Sequence, residues 1–286
     1  MIEKLLNTSV SAFVAMTLSI AAVAAAIDVR AHEQPVGEAR YLGNEGIMVA
    51  LAGHKVLVDA FYAQSFSTYP LVPEHLVTDM ISGRPPFDNV AAVLVSHVHG
   101  DHFSPAPMLA YLRAQPQVRV FCPQQVFDKL QQAGAGLDIL ERVTAIDLAP
   151  GDAPEQLHSG DLEIDVVALP HAGGARMADV RNLSFRVTLG NRHTFVHLGD
   201  AAVDRPAFAR HQLFWAARRV DTAFPPYWFV DDETGLRLLQ DYLAPGQTIG
   251  IHVPAAAAGQ GDAWRDQLGA DLFTDPGEFR RLEHRH

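Results

Sequence analysis

Six consecutive positions, "HVHGDH" from His97 to His102, hold three imidazoles and one carboxylate. In extended backbone, residues two apart face the same way, so His97 and His99 converge on one point. Gly100 lets the chain turn sharply there, which sets Asp101 and His102 side by side just beyond it. Imidazole and carboxylate together suit zinc, iron or manganese. A lone histidine is more often a packed or solvated residue. Four such groups directly after the apolar run "NVAAVLVS" are better read as a metal site.

A metal centre needs further ligands from elsewhere in the chain. Three other apolar runs lead to a candidate: "DVVALPHAGG" to His171, "RHTFVHLGDA" to Asp200 and "TIGIHVP" to His252. Binding groups of α/β proteins collect in this place, at the carboxyl ends of strands.

The elements that would position these residues follow from periodicity. "GIMVALAG" and "HKVLVDA" predict a hairpin joined at Ala52-Gly53-His54. "NVAAVLVS" reads as a central strand covered on both faces. "SPAPMLAYLRAQ" predicts a helix with Ser104 as N-cap and proline in its first turn. "PQQVFDKLQQAG" predicts a helix ending at Gly134. "NLSFRVTLG" and "RHTFVHLGD" predict a hairpin turning at Gly190-Asn191. "RPAFARHQLFWAAR" and "DETGLRLLQDYL" read as helices, "QTIGIHV" as a strand and "ADLFTD" as a short last strand. Strands followed by strand-helix alternation occur twice. That order predicts an α/β fold of two packed sheets with helices outside, a four-layered αββα sandwich. No linker-like segment interrupts residues 32–286, so they read as one domain.

The balance of 22 basic against 33 acidic residues, a net charge of −11, argues against nucleic acid as the partner. It leaves a small-molecule substrate, anionic ones included, held at a local positive site. The single cysteine, Cys122 in "VRVFCP", reads as a small buried hydrophobe. The first 31 residues, with Lys4, an apolar stretch and small residues up to Ala31, have the pattern of a secretory signal peptide. That implies a periplasmic or secreted protein. An uncleaved segment would be its one membrane anchor.

The His-x-His-x-Asp-His motif, the strand-end His171, Asp200 in "HLGD" and the late His252 resemble the metallo-β-lactamase-fold hydrolases, in that family's order. The resemblance implies two divalent metal ions, zinc first with manganese or iron as alternatives. His97, His99 and His171 would hold one; Asp101, His102 and His252 would hold the other; Asp200 would bridge them. It implies hydrolysis of an ester-like bond (lactone, phosphodiester or thioester) by a metal-bridging hydroxide, with Asp101 or Asp200 as the catalytic carboxylate that takes the proton. Two divalent charges less two aspartates and a hydroxide leave about +1, which favours a polarised or anionic oxygen. The segment "LPHAGGARMADVRNLSFRVTLG" is similar to the branch holding L-ascorbate-6-phosphate lactonase and N-acyl-phosphatidylethanolamine-hydrolysing phospholipase D. The competing readings are a β-lactam hydrolase and a non-catalytic periplasmic metal-binding protein. Asp200 as bridge, with Cys122 too early in the chain to be a ligand, speaks against the first; the complete ligand set speaks against the second. His99 stands where diiron relatives carry glutamate, which disfavours redox chemistry.

Other residues give weaker signals. Asp59, ending "HKVLVDA", is either a carboxylate that fixes a ligand histidine's tautomer or a plain turn residue. Arg176 and Arg181 could grip an anion or simply be solvated. Phe61, Tyr62, Phe66, Tyr69, Tyr227, Trp228 and Phe229 fall in loops expected near the metals, where they could wall an apolar pocket. His193 and His197 share a strand face, with His197 expected beneath Asp200. His54, His75, His158, His211, His284 and His286 are expected on the surface.

Overall fold

Apolar residues on both faces of most strands require cover on both sides, and the chain provides it twice. The computed structural model describes residues 37–282, so the expected leader at 1–31, His284 and His286 lie outside the described residues. Val36–His286 forms one compact unit.

The first sheet begins as an antiparallel meander of β1 (Gly37–Gly43), β2 (Gly46–Leu51) and β3 (His54–Val58). It continues in parallel through β4 (Ala92–Leu94), β5 (Arg119–Pro123) and β6 (Val143–Ile146). The second sheet runs antiparallel through β7 (Glu155–Ser159), β8 (Leu162–Leu169), β9 (Asn182–Leu189) and β10 (His193–His197). It then adds β11 (Thr222–Phe224) and β12 (Gln247–Thr248) in parallel. The last strand, β13 (Phe279–Leu282), returns to the first sheet and pairs antiparallel with β1.

The inner faces of the two sheets meet in one core that includes Val49, Val58, Leu94, Phe185, Phe195 and Phe224. The outer face of the first sheet is covered by α1 (Glu74–Ser82), α2 (Pro105–Ala114), α3 (Gln124–Gln132) and α4 (Leu137–Leu140). The outer face of the second packs under α5 (Arg205–Arg210), α6 (Gln212–Ala216), α7 (Glu233–Tyr242) and α8 (Gly261–Leu268), where Phe208, Trp215 and Leu238 are buried. This is the αββα order expected from the sequence. Cys122 is buried, as expected of a small hydrophobe. Among the described residues no helix is long and apolar enough to cross a membrane.

The β9–β10 hairpin turns at Gly190-Asn191 as expected, with φ values of 54° and 56°, through a three-residue connection, 190–192, between Leu189 and its partner His193. Several expectations are corrected. Ser104 is the N-cap residue of its helix, as expected, but its hydroxyl makes no capping bond and accepts the Ala63 N–H at 3.0 Å instead. The helical run 205–216 breaks at His211, which is buried rather than on the surface and whose pKa burial lowers. "QTIGIHV" pairs in a ladder only at Gln247 and Thr248, because Gly250 and Ile251 donate instead to Asp271 and Pro225 carbonyls in neighbouring segments. "ADLFTD" makes a single bridge, Leu272 to Gly250, and no strand. Strands β7 and β13 were not expected, because neither carries a regular apolar alternation.

Candidate metal centre

Strand β4 delivers the motif. Past Leu94 the chain stays extended, then turns where His102 and Phe103 both donate backbone hydrogen bonds to the His99 carbonyl, at 3.1 and 2.9 Å. His97 is fully buried and His99 half-buried. The second sheet supplies the remaining residues from its own strand ends. His171 follows β8 and bridges to Ala201, and the Ala172 N–H donates to the Asp200 carbonyl at 2.7 Å. Gly199, at φ +56°, brings Asp200 up against the motif. A side chain there would stand 2.4 Å from Asn182 Oδ1 and 2.8 Å from Ser96 Cβ. His252 takes the left-handed φ of 61° and donates its N–H to the Asn44 carbonyl at 2.9 Å.

These side chains form two groups. In the first, His97 Nε2, His99 Nδ1 and His171 Nε2 lie 3.0, 3.2 and 3.3 Å from one another. Asp200 Oδ2 is 3.3 Å from His171 Nε2 and 3.8 Å from His97 Nε2. In the second, Asp101 Oδ2 lies 3.7 Å from His102 Nε2 and 4.0 Å from His252 Nε2. The other oxygen of Asp200, Oδ1, faces this group, 3.0 Å from His252 Nε2 and 3.4 Å from His102 Nε2. One carboxylate thus addresses both groups.

The donor set fits metal ions. Ligand atoms around a tetrahedral zinc, with bonds of about 2.0 Å, stand about 3.3 Å apart, close to the spacing of the three nitrogens. Asp200 Oδ1 and both ring nitrogens of His252 are buried without a hydrogen-bond partner. Buried polar atoms of native proteins are rarely left so, and here Asp200 Oδ1 and His252 Nε2 face one another across the second group.

Asp59 settles as the orienting carboxylate of its two readings. Its Oδ1 accepts the Ser96 N–H at 2.7 Å; its Oδ2 accepts the Ser96 hydroxyl at 2.5 Å and faces His102 Nδ1 at 2.9 Å. A proton on Nδ1 donated to Asp59 leaves His102 Nε2 to face Asp101 and Asp200. His197 lies buried beneath the site with Nε2 3.0 Å from the Glu45 carbonyl, and burial lowers its pKa. His193 is also buried, against Thr222 Oγ1 at 3.1 Å.

Two residues escaped the sequence reading. Asn44 and Glu45 sit in the β1–β2 turn "GNEG", which looks like an ordinary solvated turn, yet both are fully buried under the centre. Asn44 Nδ2 donates to the Asp101 carbonyl at 2.9 Å and to its Oδ2 at 3.3 Å. Glu45 Oε2 lies 3.8 Å from both His102 Nδ1 and His197 Nε2, and neither of its oxygens has a hydrogen-bond partner. No signal in one sequence separates this glutamate from an exposed turn residue.

Charge is distributed unevenly across the site. Burial, reinforced by His102, holds His97 well below its ordinary pKa. Burial likewise opposes charge on His102, but Asp200 and the Asp59 hydrogen bond outweigh it and push this histidine up to about 10. Asp200 shows the converse: burial would raise its carboxyl, while His252 and His102 hold it well below the carboxylate range. Burial, then the nearby Asp200, keeps Glu45 well above that range.

A cavity of about 390 Å³ opens over the centre, lined by His99, Asp101, His171 and Asp200 together with Phe66, Tyr69 and Trp228. The Tyr69 and Trp228 rings stand edge-on to His252 at 4.1 and 5.1 Å, and Trp228 Nε1 donates to the Ala201 carbonyl. The other aromatics serve elsewhere. Phe61 stacks on Tyr111, Tyr62 donates to the Pro70 carbonyl, Phe229 is in the core and Tyr227 packs on Trp264. Arg176 and Arg181 line no part of this cavity.

An αββα sandwich with paired His/Asp groups at its strand ends defines a class of metal-binding proteins. The family described as "Beta-lactamase superfamily domain" matches residues 54–257, and the chain belongs to it. Among solved structures it is similar to Igni18, a novel metallo hydrolase from Ignicoccus hospitalis, with TM-score 0.58, 16% identity and coverage of 87% of this chain and 100% of that one. It is also similar to an isothiocyanate hydrolase from Delia radicum gut bacteria, with TM-score 0.55, 17% identity and coverage of 86% and 98%. The CmlA β-hydroxylase E377D mutant gives TM-score 0.52 and 20% identity; the match covers 87% of this chain and 54% of that one. At these identities the likeness is one of fold. No curated protein matches the chain.

Proposed function

We propose that the protein is a dinuclear metal-dependent hydrolase acting on an ester-like bond of a small molecule: a lactone, thioester or phosphodiester. The observation that carries this reading is Asp200, whose two oxygens each face a different ligand group, 3.3 Å from His171 Nε2 and 3.0 Å from His252 Nε2. Two divalent ions held there, zinc being the first candidate, would acidify a bound water and polarise the substrate's oxygen.

The chain's own residues bind and orient. His97, His99 and His171 would hold one ion; Asp101, His102 and His252 the other. Asp59 aims His102 through Nδ1, and Asn44 fixes Asp101 through its carbonyl and carboxylate. Asp101 and Asp200 line the cavity; Asp200 turns both oxygens to the two groups, which leaves Asp101 as the carboxylate to accept a proton. Trp228 and Tyr69 cover His252 and exclude water from that side. The leader-like residues 1–31 support a periplasmic or secreted location.

The test is turnover by purified, zinc- or manganese-loaded protein against lactones, bis-aryl phosphodiesters, thioesters and a chromogenic β-lactam. Hydrolysis of an ester-like substrate, abolished by His97→Ala, supports the reading. If nothing is hydrolysed while metal binds, the non-catalytic alternative stands. Cleavage of the β-lactam alone would move the assignment to a lactamase.

A further inference from the structure

The cavity over the candidate metal centre has a neighbour. A second, of about 370 Å³, shares His171 and Met177 with the first and extends away from the centre. Its walls are mostly small and apolar: Pro150, Pro170, Ala175, Ala202 and Val180. No lysine or arginine lines either cavity. Apart from the candidate ligands, the only ionisable side chain lining the pair beyond the tyrosine is Asp204, which caps α5 by accepting the Ala207 N–H. Met177 stands at the junction, on a 3-10 turn (Gly174–Met177) packed back on Gly173, where an added Cβ would meet Met177 Cγ at 3.0 Å.

Resting on the hydrolase reading above, we propose the substrate's class. It is a neutral carboxylic ester or lactone whose apolar chain runs from the metal centre, past Met177, into the second cavity. The reacting carbonyl would lie by His99, His171 and Asp200, under Tyr69 and Trp228. A phosphodiester's charged oxygens could be met only by the metals, because no lysine or arginine lines either cavity. A neutral carbonyl carries no such requirement, and its chain gains from leaving water for these walls. Methionine is suited to the junction, since its unbranched side chain yields to chains of different shape.

The test uses the zinc-loaded full chain and a series of straight-chain carboxylates from butanoate to dodecanoate, the acid products of such esters. Binding is measured calorimetrically, so no turnover is needed. Affinity is expected to rise about threefold to fourfold per added methylene while the chain is entering apolar surface. Met177→Trp, which narrows the junction, should end that rise at a shorter chain. Ala175→Trp, on an exposed position of the same turn, should shorten it from the far side. Affinity independent of chain length, or tighter binding of inorganic phosphate than of octanoate, overturns the proposal. Para-nitrophenyl esters of the same chain lengths separate the two levels of inference. Length-dependent binding without turnover keeps the pocket and removes the hydrolase. Hydrolysis with no preference for chain length does the reverse.

Discussion

Asp59 Oδ2 sits 2.9 Å from His102 Nδ1, on the opposite edge of the ring from the atom that faces Asp101 and Asp200. The same carboxylate accepts the Ser96 backbone N–H, so it ties the strand that carries the motif to the ring that ends it. Asp59→Ala should weaken metal binding about 10- to 100-fold, by leaving His102 free to turn. Asp59→Asn, whose short side chain tolerates the φ of 46°, should cost less in stability but still lose orientation, since an amide cannot accept at every contact. Competition against a chromophoric chelator measures both; equal affinity in all three proteins would show that Asp59 is only a turn residue.

Asp200→Asn keeps the shape of the proposed bridge and halves its ligand power. The variant should hold at most one firmly bound ion by elemental analysis after full loading. Its turnover should drop by about 10² or more, the usual effect of removing one preorganised charge from a polar site. Two retained equivalents would refute the bridging role.

The metal-free protein should lose stability as pH rises. His102 has its pKa raised to about 10 from 6.5, so its proton binds more tightly in the folded chain than in the unfolded one. That contribution is fully present below about 6.5 and is lost as pH rises toward about 10. The melting temperature of chelator-treated protein should therefore fall by several degrees over that window. The zinc-loaded protein should not show this fall, because ligation displaces the proton. Its metal affinity should instead strengthen with pH up to the same region. A flat melting profile for the metal-free protein would contradict this account.

Gly199→Ala should be destabilising by about 2 kcal/mol or more, through strain at φ +56° and a clash with Asn182 and Ser96. It should also lower metal content, since Asp200 is the next residue. Thermal denaturation with metal analysis would register both. A variant that melts normally and binds fully would mean that the two strands can separate at no cost.

What the sequence revealed and what it hid follow from the physics of each position. The motif and the three later candidates, His171, Asp200 and His252, were legible because strand ends carry them, and strand ends are marked by the apolar runs before them. The two-sheet architecture was legible because strands such as β2 carry apolar residues on both faces and are buried almost throughout. Glu45 was hidden because a polar residue between turn glycines looks the same buried or exposed. Only the packing of the β1–β2 turn beneath His102 distinguishes them. His211 was hidden for a related reason: its burial depends on a break between α5 and α6 that helical periodicity smooths over. Strands β7 and β13 are half-exposed edge strands, where alternation is weakest.

The centre draws His97, His99, Asp101 and His102 from one sheet and His171, Asp200 and His252 from the other. Ions bound there would act as a clasp between the two halves of the sandwich, restraining the unfolded chain as a cross-link does by closing long loops. Neither half carries a complete set for both ions. If the chain were opened in the exposed turn at Gly151–Pro154, each fragment would hold only part of the centre. Uptake of either ion at full affinity would then be a direct reading of whether the halves have come together.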